Sequence, residues 1–191
     1  VHKGPKGGES FEDFFDPLRF GLPRRPSLAH RLDRDTSGCL VLGRHRKALA
    51  SLGSLFKRGM VGKTYWALVE GGPEADEGCI DLALGRLDDT RGWWMKPDPS
   101  GQPSATTWKV MGRAGKETWL ALEPLTGRTH QLRVHCAAMG WPVLGDNIYG
   151  NAPRTGGPVL HLHSREVVVP LYKNRDPIRV IAPVPAHMRA R

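Results

Sequence analysis

The chain predicts an α+β fold, and three observations carry that reading. Short apolar or alternating runs recur from residue 39 to residue 181, and two of them, 105–111 and 117–123, lie close enough to pair as neighbouring antiparallel strands. Helical periodicity is clear only once, around 48–56, with a second and shorter stretch at 131–139. No internal repeat or low-complexity tract interrupts the pattern, and 191 residues suit one domain with a single buried core.

Residues 4–26 are rich in Gly, Pro, Arg and Phe, which predicts a covering segment anchored on the core by Phe11, Phe14, Phe15 and Phe20. Cys39-Leu40-Val41-Leu42 reads as a short buried strand. Immediately before it, His30-Arg31-Leu32-Asp33-Arg34-Asp35-Thr36-Ser37-Gly38 gathers two carboxylates, two guanidiniums, an imidazole and two hydroxyls. Such a cluster at a strand edge suits a loop presented to a ligand by a rigid scaffold. An ordinary turn, with Asp and Ser bonding local backbone, is what the composition alone supports.

Ala48, Leu49, Leu52, Leu55 and Phe56 then fall on one helical face, with Lys47, Lys57 and Arg58 outside it and Gly59 as the stop. In the strand at 64–70, Tyr65 and Trp66 must point to opposite faces, because side chains alternate along a strand. The stretch 87–103 combines turn residues with Trp93 and Trp94, which predicts a long loop or hairpin. Leu132, Cys136 and Met139 share a helical face that ends at Gly140, ahead of Pro142. Short strands at 159–163, 166–169 and 178–181 close the chain.

Lys and Arg number 28 against 19 Asp and Glu, a formal charge of +9 that attracts polyanions. An anionic membrane would be attracted as well. However, no apolar run approaches the roughly 18 residues of a spanning helix, and the first residues do not resemble a secretory signal, so a soluble cytoplasmic protein is expected. Cys39, Cys79 and Cys136 are odd in number and widely spaced, which predicts free, buried thiols rather than a disulfide framework. The spacings of His130, His135, His161 and His163 match no zinc motif, so no metal is expected.

Two further segments are as dense in functional groups as the Asp33 loop. They are Leu125-Thr126-Gly127-Arg128-Thr129-His130-Gln131-Leu132-Arg133-Val134-His135 and Gly145-Asp146-Asn147-Ile148-Tyr149-Gly150. With H-R-L-D-x-x-T-S-G around Asp33, and Lys63-Thr64-Tyr65-Trp66-Ala67-Leu68-Val69-Glu70-Gly71 matching K-x-Y-x-A-x-V-x-G, the chain resembles the RluA-type RNA pseudouridine synthases. The resemblance runs from about residue 3 to residue 170. It starts at Val1-His2-Lys3-Gly4-Pro5-Lys6-Gly7, which is similar to the family's N-K-P-x-G with one extra glycine.

That resemblance implies a single catalytic domain over residues 1–191, with a mixed, mainly antiparallel sheet flanked by helices and loops and a cleft along its centre. A separate N-terminal RNA-binding domain is not expected in these residues. It implies an isomerase that converts uridines of structured ribosomal or transfer RNA to pseudouridine without a cofactor, and a lone basic domain acting on a large RNA needs no partner subunit, so a monomer is expected. Asp33 would be the reacting carboxylate, attacking the sugar or deprotonating it to a glycal. Tyr65 would stack on the base with its hydroxyl near C5. Arg133 is the family choice for the guanidinium paired with Asp33, with Arg128 as the competing reading and a phosphate contact as the simpler role for either. Arg31 would fill the gap left by a flipped base. Leu132 and Leu162 would wall the base, unless they are only core. His30 would brace the loop at the edge of the substrate site, as would Asp35, Thr36 and Ser37. Trp93 and Trp94 would stack on unpaired bases or pack on the domain, and the two readings stand level. The contrasting function is an RNA-binding or RNA-folding factor on the same fold without chemistry.

Overall fold

The computed structural model describes residues 10–88, 90 and 93–189, so the N-K-P-x-G-like start, the beginning of the covering segment, and Asp89, Arg91 and Gly92 lie outside the described residues. The first half of the chain holds β1 (Ser27–Leu28), β2 (Ser37–Gly38), β3 (Leu42–Gly43), α1 (Arg46–Lys57), β4 (Gly62–Glu70) and β5 (Glu77–Asp81). There follow β6 (Leu84–Arg86), β7 (Met95–Pro97), β8 (Ala105–Ala114), β9 (Glu117–Pro124) and α2 (Gln131–Ala138). The chain closes with β10 (Leu162–Val169), β11 (Ile178–Ile181) and the short α3 (Ala186–Arg189).

The main sheet runs β11-β10-β4-β9-β8-β5 in antiparallel order, with β2 laid parallel along the start of β10. That one parallel pairing makes the sheet mixed. The alternation in β4 decides its faces: Ala67 and Val69 are fully buried on the Tyr65 side. Trp66 turns to the other face, where it meets the edge of Trp119 and carries the Arg165 guanidinium 4.4 Å from its ring centre. The sequence assigned Tyr65 and Trp66 to opposite faces, and they lie so.

Two apolar clusters back the sheet. One joins Ala67, Val69, Leu120 and Leu122 to Leu132 and Cys136 of α2 and to Trp141 and Leu162. The other joins Val61, Val167 and Val169 to Leu52, Leu55 and Phe56 of α1. Fully burying a side chain such as Leu120 or Leu122 contributes about 1.5–3 kcal/mol, so these rows hold the two helices on the sheet. α1 starts where the His45 imidazole accepts the Ala48 N–H, and it stops at Gly59, whose φ of +67° a residue with a side chain adopts at a cost.

α2 is amphipathic only in name. Gln131, Leu132, Arg133, Val134, His135 and Cys136 are all buried. A helix buried on every side must satisfy its polar groups internally. Gln131 accepts from the Thr126 hydroxyl and the Arg128 N–H and donates to the Ala105 carbonyl and the Thr106 hydroxyl. His135 pairs with Thr106 through Nδ1 and donates from Nε2 to the Leu82 carbonyl, and burial lowers its pKa.

Several expectations are corrected. The run 39–41 is not a strand, because its backbone is divided among three partners: Cys39 N–H reaches Ser164 on β10, Val41 N–H reaches His30 Nε2, and the Val41 carbonyl takes Ala29 N–H. The segment therefore crosses between two sheets instead of lying in either. The strands expected at 159–163 and 166–169 are one strand, β10, which starts only at Leu162 and has a register shift between Ser164 and Glu166 that lets it pair with β2 before the bulge and β11 after it. Of the four phenylalanines named as anchors only Phe15 is buried, with Phe11 edge-on against it, and Phe11, Phe14 and Phe20 are exposed. Cys79 is exposed, since it sits on the outer side of edge strand β5 while Ile80 turns inward. Met139 is 46% exposed, beyond the end of α2.

Gly38 is where the Asp33 loop meets the sheet. Its φ is +106°, and a Cβ there would strike the backbone of Ser164. Gly38→Ala should therefore cost more than about 2 kcal/mol in urea unfolding. Gly53→Ala, in α1 with open space where the methyl would go, should instead stabilise by about 0.5–1 kcal/mol. Equal stabilities for the two variants would show that loop and sheet are not joined rigidly at Gly38.

Candidate active site

The loop 30–38 reaches the cleft because both its ends are tied down. At its start the His30 ring stacks on Phe56, 4.6 Å between centres, and accepts the Val41 N–H at Nε2. At its end the Ser37 hydroxyl bonds His163 Nδ1 at 2.8 Å and β2 lies along β10. Leu32 is buried between them, and Thr36 N–H closes a turn on the Asp33 carbonyl. The Asp33 carboxylate is thereby presented, with 17% of its side chain exposed, to a cleft of about 630 Å³.

Asp33, Tyr65, Arg31, His30, Arg128, Leu132 and Leu162 all line this one cleft, although the sequence spreads them from position 30 to position 162. Tyr65 rises from β4 beside Asp33. Burial pushes its phenol up to about 12, helped by the Asp33 charge and opposed by the Ser164 hydroxyl, so it is protonated at neutral pH. Leu132 and Leu162 belong to the core and also form part of the cleft wall. Arg31 is exposed at the rim, and among the described residues no hydrogen bond or ion pair holds it. Arg128 donates its Nε–H to the Pro103 carbonyl, which turns it along the rim. Burial and the Lys63 charge bring the His30 pKa down to about 4, which suits a neutral ring accepting a backbone N–H. Lys63 reaches the Thr126 carbonyl from the floor.

Arg133 is corrected. It does not line the cleft or bond Asp33: it is buried on α2, and its Nε and Nη2 each donate to one oxygen of Asp146 at 2.7 Å. The reason is electrostatic. A guanidinium shut away from water requires a carboxylate that accepts both prongs of its fork, and Asp146 is equally buried. Burial would raise the Asp146 pKa, but Arg133 and the N–H groups of Ile148 and Tyr149 more than offset that and hold it below the usual carboxylate range. Asp33 reaches Arg133 only through its field, as one of the charges that keep the guanidinium protonated.

One group within 4 Å of the Asp33 carboxylate is His130, which the sequence offers only as a metal ligand. His130 Nε2 stands 3.9 Å from Asp33 Oδ1, and Nδ1 bonds the Tyr149 hydroxyl at 2.8 Å. Burial lowers the His130 pKa, with Asp33 opposing and Arg133 adding to the fall, so the ring is neutral at pH 7. Its position directly after Gly127-Arg128-Thr129, at the start of α2, was the available signal. Trp93 is 54% exposed and sets its ring 5.6 Å from that of His130, at the mouth of the site. Trp94 carries the Arg154 guanidinium over its ring. Both tryptophans stand in the connection between β6 and β7, which pair as a hairpin. Among the described residues no group of three or more His, Cys, Asp or Glu is placed to hold a metal ion.

Residues 1–138 match the family model described as RNA pseudouridylate synthase. An uncharacterized RNA pseudouridine synthase of Zymomonas mobilis is 42% identical over 183 residues, covering 94% of this chain and 82% of that one. Ribosomal large subunit pseudouridine synthase D of Borreliella burgdorferi is 35% identical over 151 residues, 78% of this chain and 46% of that one. The chain spans about half the length of most of the curated relatives it matches. Among solved structures, human RNA pseudouridylate synthase domain containing 1 superposes with a TM-score of 0.75 at 32% identity, over 87% of this chain and 71% of that chain.

The lowered His30 pKa has a measurable consequence. Its neutral form is favoured in the folded state, so this stability is complete above pH 6.5 and is lost as pH falls toward 4. His30→Gln keeps an acceptor for the Val41 N–H but does not titrate. Urea unfolding at both ends of that window should show the wild type losing on the order of 2 kcal/mol more than the variant. Parallel losses would place the acid sensitivity in other histidines.

Proposed function

Because the chain belongs to the RNA pseudouridylate synthase family, a family of isomerases that act on RNA, we propose that it converts uridines in structured ribosomal or transfer RNA to pseudouridine, with Asp33 as the reacting carboxylate. One observation carries this reading: Asp33 and Tyr65, from sequence segments 32 residues apart, open into a single cleft with apolar walls and a cationic rim.

The reaction must break the bond between C1′ and N1, turn the base, join C5 to C1′ and remove the C5 proton. A carboxylate at the sugar serves the first step, by attack at C1′ or by taking the C2′ proton to give a glycal. The detached base needs a flat, apolar slot in which it can turn without escaping. The Tyr65 ring, Leu132 and Leu162 supply that slot. The Tyr65 phenol is protonated at rest, so in moving the C5 proton it acts as a relay that passes one proton on as it takes the next. A uridine stacked in RNA reaches Asp33 only when flipped out, at about a few kcal/mol. Arg31, exposed at the rim two residues before Asp33, is placed to enter the vacated stack, since a planar guanidinium both stacks and pairs with phosphate. Ribosomal RNA gains support from the name of the Borreliella relative. The formal charge of +9 suits either RNA.

Asp33→Asn should abolish tritium release from RNA labelled at uridine C5, by roughly 10⁴-fold or more, with thermal unfolding and RNA affinity unchanged. Turnover near the wild-type rate would favour an RNA-binding factor without chemistry. Arg31→Ala should impair activity on a folded stem-loop by about tenfold or more, and far less on an unstructured oligonucleotide holding the same uridine, because only the first has stacking to lose. Equal losses would assign Arg31 to the chemical step or to holding the loop.

A further inference from the structure

His130 carries more constraint than an ordinary core histidine. Among the described residues only Phe20 and His130 have a positive φ without being glycine. Phe20 is 72% exposed in a surface turn, whereas His130 is 8% exposed and sits at φ +52°, ψ +18° where the chain enters α2. A non-glycine residue in that region costs about 1–2 kcal/mol, and such strain persists where the surroundings over-determine it, often at functional sites.

The surroundings of His130 fix not only its place but its proton. The Tyr149 oxygen accepts the Met95 N–H at 3.0 Å, a bond in which Tyr149 can only be the acceptor. Burial raises the Tyr149 pKa, so the phenol keeps its own proton, and the partner within reach of that proton is His130 Nδ1 at 2.8 Å. With Nδ1 accepting, a neutral ring must carry its hydrogen on Nε2. Nε2 is the atom that faces Asp33 Oδ1. The charged and titratable groups around the ring are Asp33 from the 30–38 loop, Arg133 from α2, Asp146 and Tyr149 from the loop after it, and Arg31 at the rim. Arg133 gives its Nε and Nη2 hydrogens to Asp146 and acts on Asp33 through its charge, while the imidazole turns an N–H on Asp33 from within 4 Å.

We propose that His130 is the positioning residue for Asp33: its Nε2–H holds Oδ1 of the carboxylate during the reaction, in the tautomer imposed by Tyr149, and turns Oδ2 toward the ribose. This rests on the assignment of Asp33 made above. The gap of 3.9 Å needs to shorten by about 1 Å to become a hydrogen bond, and catalytic hydrogen bonds that are long in the free enzyme tighten when substrate binds. Trp93, standing edge-on over the imidazole, shields one side of this contact.

Two substitutions separate positioning from mere support, because they rank oppositely. Asn tolerates the left-handed conformation best but reaches only the Nδ1 position of the ring. Gln tolerates it less well but carries its N–H to the Nε2 position. In the full chain, with tritium release from a C5-labelled structured RNA, His130→Asn should lower kcat roughly a hundredfold with RNA Kd within about twofold of wild type. His130→Gln should retain at least about ten times the kcat of the Asn variant while melting at a lower temperature. Tyr149→Phe, which releases the tautomer, should fall between them in kcat with RNA Kd unchanged. The proposal is overturned if His130→Asn turns over within about threefold of wild type, or if activity follows melting temperature so that Asn exceeds Gln. If the wild type released no tritium, or if Asp33→Asn remained active, the assignment of Asp33 itself would fall and this inference with it.

Discussion

A guanidinium and a carboxylate sealed away from water, Arg133 on α2 and Asp146 on the loop behind it, set the terms for the rest of the site. Their side chains are 4% and 0% exposed, and two bonds of 2.7 Å join them. Removing either partner would strand a buried charge, typically a loss of about 3–5 kcal/mol. The pair therefore cannot drift, and its neighbours inherit its position. Asp146 also takes the N–H groups of Ile148 and Tyr149, which fixes where the Tyr149 ring lies. Tyr149 fixes His130, and His130 faces Asp33. A chain of contacts thus runs from a structural ion pair to the carboxylate that lines the cleft.

The same arrangement explains why α2 does not resemble a surface helix. Three of its six buried residues are polar, and each is met by a specific partner on β8, on the loops next to it or on the loop after α2. Low dielectric makes such bonds strong and makes an unmet group costly. Conversely, the loop 30–38 is fastened by short local ties to β10 and α1, with Gly38 allowing backbone to lie against backbone. The carboxylate is held from one side by the sheet and approached from the other by the buried helix.

Much of this was legible beforehand. Alternation at 64–70 gave β4 and placed Tyr65 and Trp66 on opposite faces, and the spacing of Leu52, Leu55 and Phe56 gave α1, because both elements bury one face and their periods show it. Density of functional groups picked out two segments that line the cleft, around Asp33 and from Leu125 to Leu132. Illegible were the elements without a free face. In 39–41 the backbone divides among three partners far away in sequence, so local pattern suggests a strand where none forms. The exposure of Cys79 depends on β5 being an edge strand, and that is a property of sheet order.

Sequence by itself determined the fold class, the order of most elements, the family and several of the residues that meet in the cleft, Asp33 and Tyr65 among them, because these follow from periodicity, composition and short motifs read along the chain. Tertiary structure alone decided the pairing of charges. Arg133, Asp146, Asp33 and His130 offer several complementary matches on paper, and nothing in their spacing selects one. Burial selects it: the carboxylate deepest in the protein must take the guanidinium that is equally deep, and Asp33, which opens on the cleft, faces an imidazole bonded to a tyrosine 19 residues further on.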